Sequence, residues 1–254
     1  MLLERKRLVI TGLRSSNSIA FAVARRAQEE GAKIILTALP RALDAANDLA
    51  LELPERPEVL EFDATKPESV ARLTEELGGR WDRIDGALHA IAFAPRSCVG
   101  GQLLGAPWSD VQVGFHSSTY SLSALAQAVV PLMTSNGGSI VALDFDSRVT
   151  WPGYNWMGVA KAGLESLARY LARDLGRYRI RVNLVAAGPL VSISADAVEA
   201  SEGRGLWAER APLGWDETDA VPTANACIAL FSDLFSATTG EMIHVDGGVH
   251  IRGD

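Results

Sequence analysis

The chain contains 254 residues, of which 48% are hydrophobic, and its formal net charge is −7 at pH 7. This length and composition predict a single folded domain over residues 1–254 and exclude an intrinsically disordered chain. The acidic balance argues against nucleic-acid binding, because no basic stripe is available to neutralise phosphates.

Short apolar runs alternate with stretches of helical periodicity along the chain. The predicted strands are Arg7–Gly12, Lys33–Ala38, Val59–Asp63, Ile84–Phe93, Ser139–Phe145, Arg181–Ala187 and Glu241–Val245. The predicted helices are Ala20–Glu30, Arg41–Leu53, Pro67–Leu77, Asp110–Met133, Asn155–Tyr178 and Asp219–Ser232. Nearly continuous apolar strands followed by helices are typical of a parallel sheet buried on both faces. The pattern predicts an α/β, doubly wound, Rossmann-like fold, with functional loops at the carboxyl ends of the strands.

The loop after the first predicted strand has the composition of a dinucleotide-binding loop. It reads T-G-L-R-S-S-N-S-I-A from Thr11 to Ala20. Gly12 permits a tight turn, and the serines and the asparagine can cap the following helix, whose free N–H groups suit a pyrophosphate. Only one glycine is present instead of G-x-G-x-x-G, so the loop is also compatible with an ordinary polar turn.

Other general features point to a reducing compartment. Cys98 and Cys227 form no CxxC pair, and the histidines show no metal-ligand spacing, so no metal site is expected. The charged start M-L-L-E-R-K-R lacks the apolar run of a signal peptide, and no stretch approaches the roughly 18 apolar residues of a membrane span. We therefore expect a cytoplasmic protein that does not associate with membranes.

Tyr154 and Lys161 are separated by six residues in a predicted helix. Seven positions correspond to two helical turns, which place both side chains on one face, roughly 10 Å apart along the axis. A phenol and an ammonium at this spacing can contact opposite ends of one reacting assembly. The Tyr-x3-Lys pair of many nicotinamide reductases would lie only one turn apart. The spacing alone also fits a buried tyrosine and a solvated lysine that share a helix by accident.

Three stretches together resemble the NADH-dependent enoyl-acyl-carrier-protein reductases, which are divergent short-chain dehydrogenases/reductases. They are L-D-F-D-S-R-V-T-W-P-G-Y-N-W-M-G-V-A-K (Leu143–Lys161), V-N-L-V-A-A-G-P (Val182–Pro189) and T-T-G-E-M-I-H-V-D-G-G (Thr238–Gly248). Phe145 indicates the mycobacterial-type branch, because many other bacterial members carry a second tyrosine there. The resemblance implies reduction of trans-2-enoyl thioesters of acyl carrier protein by hydride transfer from NADH, in fatty acid elongation. It also implies a homotetramer.

The resemblance assigns roles to individual residues. Tyr154 is expected to hydrogen-bond the thioester carbonyl, Lys161 to bind the nicotinamide ribose, and Phe145 to shield the nicotinamide. Trp151 is expected to line the acyl pocket. The other cofactor-binding positions implied are Gly12, Ser18 and Ile19 in the phosphate loop, Leu39, Asp63 and Ala64 at the adenine end, Ala90, Ile91 and Ala92 at the ribose, and Leu143, Pro189, Leu190 and Ser192.

Three departures from the family pattern bear on specificity. Ala90 replaces a serine that is common there, and Leu39 replaces an aromatic residue that packs against adenine. The segment 192–213, expected to bind substrate as the wall of the acyl crevice, is shorter than in the long-chain branch. We therefore expect a shallower crevice and a preference for short or medium acyl chains.

Several alternatives stay open at the level of sequence. Arg41 could meet the 2′-phosphate of NADPH, although the stretch around Leu39 favours NADH. A β-ketoacyl reductase, a specialised lipid or polyketide reductase, and a non-catalytic nicotinamide sensor share the fold; a β-ketoacyl reductase would need a lysine at Gly158. Because acyl carrier protein is acidic, docking requires local basic residues, for which the candidates are Arg148, Arg204 and Arg210.

Overall fold

A parallel sheet forms the centre of the computed structural model, which describes residues 1–190 and 206–252. Its strands are β1 (Arg7–Ile10), β2 (Lys33–Ala38), β3 (Glu58–Glu61), β4 (Gly86–His89), β5 (Gly138–Asp144), β6 (Ile180–Ala187) and β7 (Met242–Val245). These seven strands lie in the order β3-β2-β1-β4-β5-β6-β7, and every neighbouring pair is parallel. The order reverses between β1 and β4, which is where such sheets bind ligands. The predicted α/β doubly wound fold is confirmed.

Helices cover both faces of this sheet. They are α1 (Ile19–Glu29), α2 (Leu43–Ala50), α3 (Pro67–Gly78), α4 (Trp108–Phe115), α5 (Ser121–Val129), α6 (Asn155–Leu175), α7 (Leu206–Arg210) and α8 (Val221–Phe231). One core contains buried side chains of α1, α2 and α8, including Phe21 and Phe231. The opposite core contains Leu73, Leu125 and Leu164 of α3, α5 and α6. Two buried faces explain why the strands are apolar throughout rather than alternating.

The predicted helix Asp110–Met133 is interrupted. A π-helical turn, His116–Tyr120, separates α4 from α5. Within it, the hydroxyl of Ser118 donates to the carbonyl of Phe93 at 2.8 Å, and that of Thr119 donates to the carbonyl of Ala160 at 2.6 Å. The wider turn therefore serves long-range contacts that local sequence periodicity does not report, and such π turns often lie beside functional sites.

Two other predicted elements are shorter in the structure. The predicted strand Ile84–Phe93 ends at His89, because the residues beyond it turn to meet Ser118. The predicted helix Arg41–Leu53 begins with a 3₁₀ turn, and its α-helical part, α2, ends at Ala50. Within the described ranges, no helix is long and apolar enough to cross a bilayer.

Candidate active site

The ends of β1 and β4 approach each other closely at the carboxyl edge of the sheet. Gly12 has φ +80°, and a Cβ built on it would lie 2.0 Å from the carbonyl oxygen of Ala90. Thr11 closes the same junction, since its hydroxyl donates to Leu88 O at 2.8 Å and accepts from Ala90 N at 3.1 Å. Only glycine fits at position 12, and the resulting cradle leaves the backbone open to a ligand at the point where the strand order reverses.

The loop after Gly12 leads directly into the N-terminus of α1. Ser18 caps this helix: its hydroxyl accepts from Phe21 N at 3.3 Å and donates to Ser15 O at 2.7 Å. The N–H groups of Ile19 and Ala20 precede the first acceptor that the helix itself supplies. With the positive end of the helix dipole, they suit a pyrophosphate.

Leu39, Asp63 and Ala64 lie further along the same edge, after β2 and β3. The backbone N–H of Phe62 donates to Ala38 O at 2.8 Å, which holds these two strand ends together. One carboxylate oxygen of Asp63 accepts from the backbone N–H and the hydroxyl of Thr65, at 3.0 and 2.6 Å. Because β2 and β3 lie on the opposite side of β1 from β4 and β5, these three residues are separated from the β5 end of the edge by the loop after Gly12.

Tyr154 precedes the first turn of α6, where Asn155 adopts φ +40°. The Asn155 side chain donates to the carbonyls of Gly100 and Gly101, and Gly100 N donates to Gly153 O at 2.7 Å. These bonds tie the start of α6 to the loop that follows β4. The Tyr154 ring lies 4.9 Å from that of Phe145, measured between centroids.

Lys161 is buried against the end of β5. Its Nζ donates to the carbonyl of Leu143 at 2.9 Å and lies 3.7 Å from Oδ1 of Asp144. Burial lowers the pKa of Lys161, and the Asp144 carboxylate opposes that effect. Lys161 therefore lies on the β5 side of the site, beside Asp144, for which no role was predicted.

Burial raises the pKa of Tyr154, and the negative charge of Asp144 raises it further. The phenol therefore remains protonated at neutral pH. It can donate a hydrogen bond, but it does not readily give up its proton.

Comparison with known proteins identifies the family of the chain. Residues 12–250 match the family model described as enoyl-(acyl carrier protein) reductase. The chain belongs to this family. It is 43% identical to the NADH enoyl-acyl-carrier-protein reductase of Mycolicibacterium smegmatis, with 97% of each chain covered. It is 38% identical to that of Mycobacterium avium, again over 97% of each, and 37% identical to that of Rickettsia bellii, over 99% of this chain and 96% of the relative. The mycobacterial resemblance is confirmed.

Four aromatic rings line the region that the family resemblance assigns to substrate. Phe145 contacts Trp151, Tyr154 and Trp207, with centroid distances of 5.0, 4.9 and 5.9 Å. Trp151 stacks on Trp207 at 5.1 Å, and its indole N–H donates to Asp146 O at 2.6 Å. Trp207 of α7 was missed at the level of sequence, where only Trp151 was assigned to the acyl pocket. Its position in the segment 192–213 was the one available signal.

The loop that follows β5 is anchored by ionic groups. Glu165 of α6 accepts from the backbone N–H of Ser147 at 3.1 Å and from its hydroxyl. Asp146 accepts from the Arg148 guanidinium at 3.0 and 2.9 Å and lies 3.1 Å from His244. These contacts fix the backbone that follows Phe145.

The remaining candidates differ in how far the structure describes them. Pro189 follows β6, and its carbonyl accepts from the indole N–H of Trp215 at 2.7 Å. Leu190, Ile91 and Ala90 are half-buried and Ala92 is exposed at the carboxyl edge. Ser192 and Arg204, and with them most of the segment 192–213, lie outside the described residues.

The structure describes two of the three arginines that are candidates for docking acyl carrier protein, Arg148 and Arg210. Arg148 has 56% of its side chain exposed, but its guanidinium binds the buried carboxylate of Asp146. Arg210 is half-buried, and its carbonyl accepts from Arg252 at 3.1 Å.

Across residues 1–190 and 206–252 there is no group of three metal-ligating side chains.

Proposed function

We propose that this protein reduces the carbon–carbon double bond of trans-2-enoyl thioesters carried by acyl carrier protein, with NADH as the reductant, in fatty acid elongation. Relatives at 37–43% identity over nearly their whole length carry the name NADH enoyl-acyl-carrier-protein reductase. The observation that carries the proposal is the pairing of a protonated Tyr154 with a buried Lys161 two turns along α6.

The carboxyl edge fits a dinucleotide. The cradle at Gly12 admits backbone contact, the α1 N-terminus favours a pyrophosphate, and Asp63 offers a carboxylate at the adenine end. We assign Lys161 to the nicotinamide ribose and Leu143, Ala90 and Pro189 to the walls around it. NADH supplies the hydride.

Tyr154 acts on the substrate. Addition of hydride to the β-carbon of an enoyl thioester places negative charge on the carbonyl oxygen, and a hydrogen-bond donor aimed at that oxygen stabilises the charge as it develops. Because burial and Asp144 keep the phenol of Tyr154 protonated, it can donate this bond without transferring its proton. The rings of Phe145, Trp151 and Trp207 exclude water from the site.

A carbonyl reductase needs a tyrosine that gives up its proton. The raised pKa of Tyr154 opposes that reaction. The position one turn after Tyr154 is Gly158, so this position places no cation beside the phenol. A Cβ added at Gly158 would contact the Tyr154 ring at 3.5 Å. The site contacts the enoyl thioester and not its carrier. Specialised lipid or polyketide enoyl thioesters are therefore a second class of candidate substrate.

One assay separates the candidate functions. NADH absorbance is followed first with octenoyl thioester and then with a β-ketoacyl thioester, and both are repeated with NADPH. We expect turnover of the enoyl substrate only, with NADH preferred. Turnover of the β-ketoacyl substrate would contradict the proposal, and NADH binding without any turnover would identify a sensor.

The chain-length preference rests on the segment 192–213. Its described part brings Trp207 onto Trp151, so a large ring closes on the acyl pocket. We expect octenoyl thioesters to give a higher kcat/KM than dodecenoyl thioesters. The reverse order would exclude the shallow crevice.

Docking of acyl carrier protein is assigned to Arg210, with Arg204 as a second candidate. Arg148 is less suited, because Asp146 already neutralises it. Arg210→Glu is expected to raise KM for carrier-bound substrate and to leave coenzyme A thioesters unchanged. Equal losses on both substrates would exclude this docking site.

We also propose a homotetramer in the cytoplasm. Its assembly faces are assigned to α4, the π turn and α6, which expose large apolar side chains. These are Trp108, Val113, Phe115, Tyr120, Val159 and Tyr170.

A further inference from the structure

Asp144 is a buried carboxylate without a close hydrogen-bond partner in the described part of the chain. It ends β5, its side chain is fully shielded from solvent, and neither Oδ1 nor Oδ2 has a hydrogen-bond partner among the described residues. Its nearest cation is Lys161, whose Nζ lies 3.7 Å from Oδ1 but donates its hydrogen bond to Leu143 O instead. A buried charge in this state is costly, so its place beside Lys161 calls for a functional reason.

The charged and titratable groups around Asp144 come from two elements. Lys161 and Glu165 face it from α6, and Tyr154 lies at the start of that helix. Glu165 is already bonded to Ser147. His89 approaches Lys161 from β4, but burial lowers its pKa to about 3, with a further contribution from Lys161, so it is neutral. Asp144 is therefore the counterion of Lys161.

We propose that Asp144 is a positioning residue of the reductase: its carboxylate keeps the buried Lys161 ammonium charged and oriented along the carboxyl edge, where the nicotinamide ribose is bound. The inference rests on the proposed role of Lys161. Its physical basis is that an isolated buried ammonium loses its proton readily, whereas a carboxylate at 3.7 Å stabilises the charged form. One N–H of Lys161 is held by Leu143 O, which leaves the others free for ribose hydroxyls.

The proposal predicts a pH signature. Burial lowers the pKa of Lys161 and Asp144 raises it, so removing the carboxylate lets the lysine lose its proton at a lower pH. NADH affinity should then fall at a lower pH in Asp144→Asn than in the wild type. Burial also raises the pKa of Asp144 to about 6, against the opposing effect of Lys161, so the carboxylate is ionised above that pH.

The test measures the NADH dissociation constant by fluorescence from pH 6 to pH 10, together with kcat for an octenoyl thioester. For Asp144→Asn we expect binding about tenfold weaker at pH 8 and an alkaline limb displaced to lower pH by about one unit. The matched control is Asp146→Asn, which alters a buried carboxyl two residues away that pairs with Arg148 and His244. Its alkaline limb should coincide with that of the wild type.

The outcomes are separable. Coincident alkaline limbs for the wild type and Asp144→Asn, or an equal shift in Asp146→Asn, would overturn the role of Asp144 while enoyl turnover by the wild type still supported the proposed function. A wild type that neither binds NADH nor reduces the thioester would overturn both. If Asp144→Asn does not fold, Asp144→Ser removes the same charge with less volume, and the same displacement is expected.

Discussion

At the scale of single residues, the chemistry depends on which groups carry protons inside the site. Tyr154 is half-buried and Lys161 is buried, and burial acts on them in opposite directions: it raises the pKa of the phenol and lowers that of the ammonium. Asp144 reinforces the first effect and opposes the second. One carboxylate therefore favours both a neutral phenol at Tyr154, the proposed donor to the substrate, and a charged Lys161, the proposed ligand of the cofactor.

Replacing Tyr154 by phenylalanine isolates the hydroxyl. The Tyr154→Phe ring keeps its contact with Phe145, at 4.9 Å in the wild type, so the site should stay packed. Losing one donor to a developing oxyanion lowers kcat by about 10²–10³-fold. NADH affinity should be unchanged, because the cofactor is assigned to Lys161. Tyr178→Phe, outside the site, is the control for stopped-flow kinetics, and a kcat close to that of the wild type in Tyr154→Phe would contradict the assignment.

The ionisation of Asp146 makes the free energy of unfolding depend on pH. Burial raises its pKa, but hydrogen bonds from Arg148 and His244 outweigh this and bring the pKa to about 2, below the ordinary value of 3.8. The ionised carboxylate thus stabilises the fold above pH 4, and this contribution is lost as the pH falls through 4 toward 2. Because Arg148 is partly exposed, we expect about 1 kcal/mol at pH 7.

Denaturant unfolding of Asp146→Asn and of the wild type between pH 2.5 and pH 7 checks that expectation. The difference in free energy of unfolding should be largest near neutrality and should shrink as the pH falls. Asp174→Asn, which alters a side chain that is 61% exposed, should show no such trend. A difference that is independent of pH would mean that packing, and not charge, gives Asp146 its effect.

At the scale of elements, the sequence predicts what depends on local pattern. The apolar runs identify all seven strands, and helical periodicity identifies α6. The π turn at His116–Tyr120 and the approach of Trp207 to Trp151 depend on partners far away in sequence. Asp144 was missed for the same reason: its isolation is a property of packing, which no local pattern encodes.

The junction of β1 and β4 can be tested through Gly12. In Gly12→Ala, the new Cβ would lie 2.0 Å from Ala90 O, and the residue would have to keep φ +80°. A strain of about 2–3 kcal/mol should lower Tm by roughly 4–10 °C and weaken NADH binding. Gly105→Ala, where no atom lies within 4 Å of the new Cβ, is the control for calorimetry. If both variants have the same Tm as the wild type, the loop after β1 can relax around the new Cβ and the junction is not rigid.

At the scale of the whole molecule, the exposed apolar residues lie on helices that pack against each other. A Cβ added at Gly163 of α6 would lie 2.7 Å from the ring of Phe115, so α4 and α6 are in close contact. Phe115 is 40% exposed, and Tyr120 and Tyr170 are 52% and 59% exposed. Large apolar side chains grouped in this way mark an interaction surface, which here borders the helix that carries the active site.

Val159 provides the sharpest test of that surface. It lies two residues before the buried Lys161, or about 200° around α6, and its side chain is 43% exposed. In Val159→Glu, the new carboxylate would be buried without a partner in a tetramer, so light scattering should show dimers or monomers. Leu51→Glu changes a side chain that is 61% exposed beyond α2, on the opposite face of the sheet, and should leave the tetramer intact. A tetramer retained in Val159→Glu would exclude the outer face of α6 as an assembly surface. Subunit assembly would then not explain why these apolar residues are exposed.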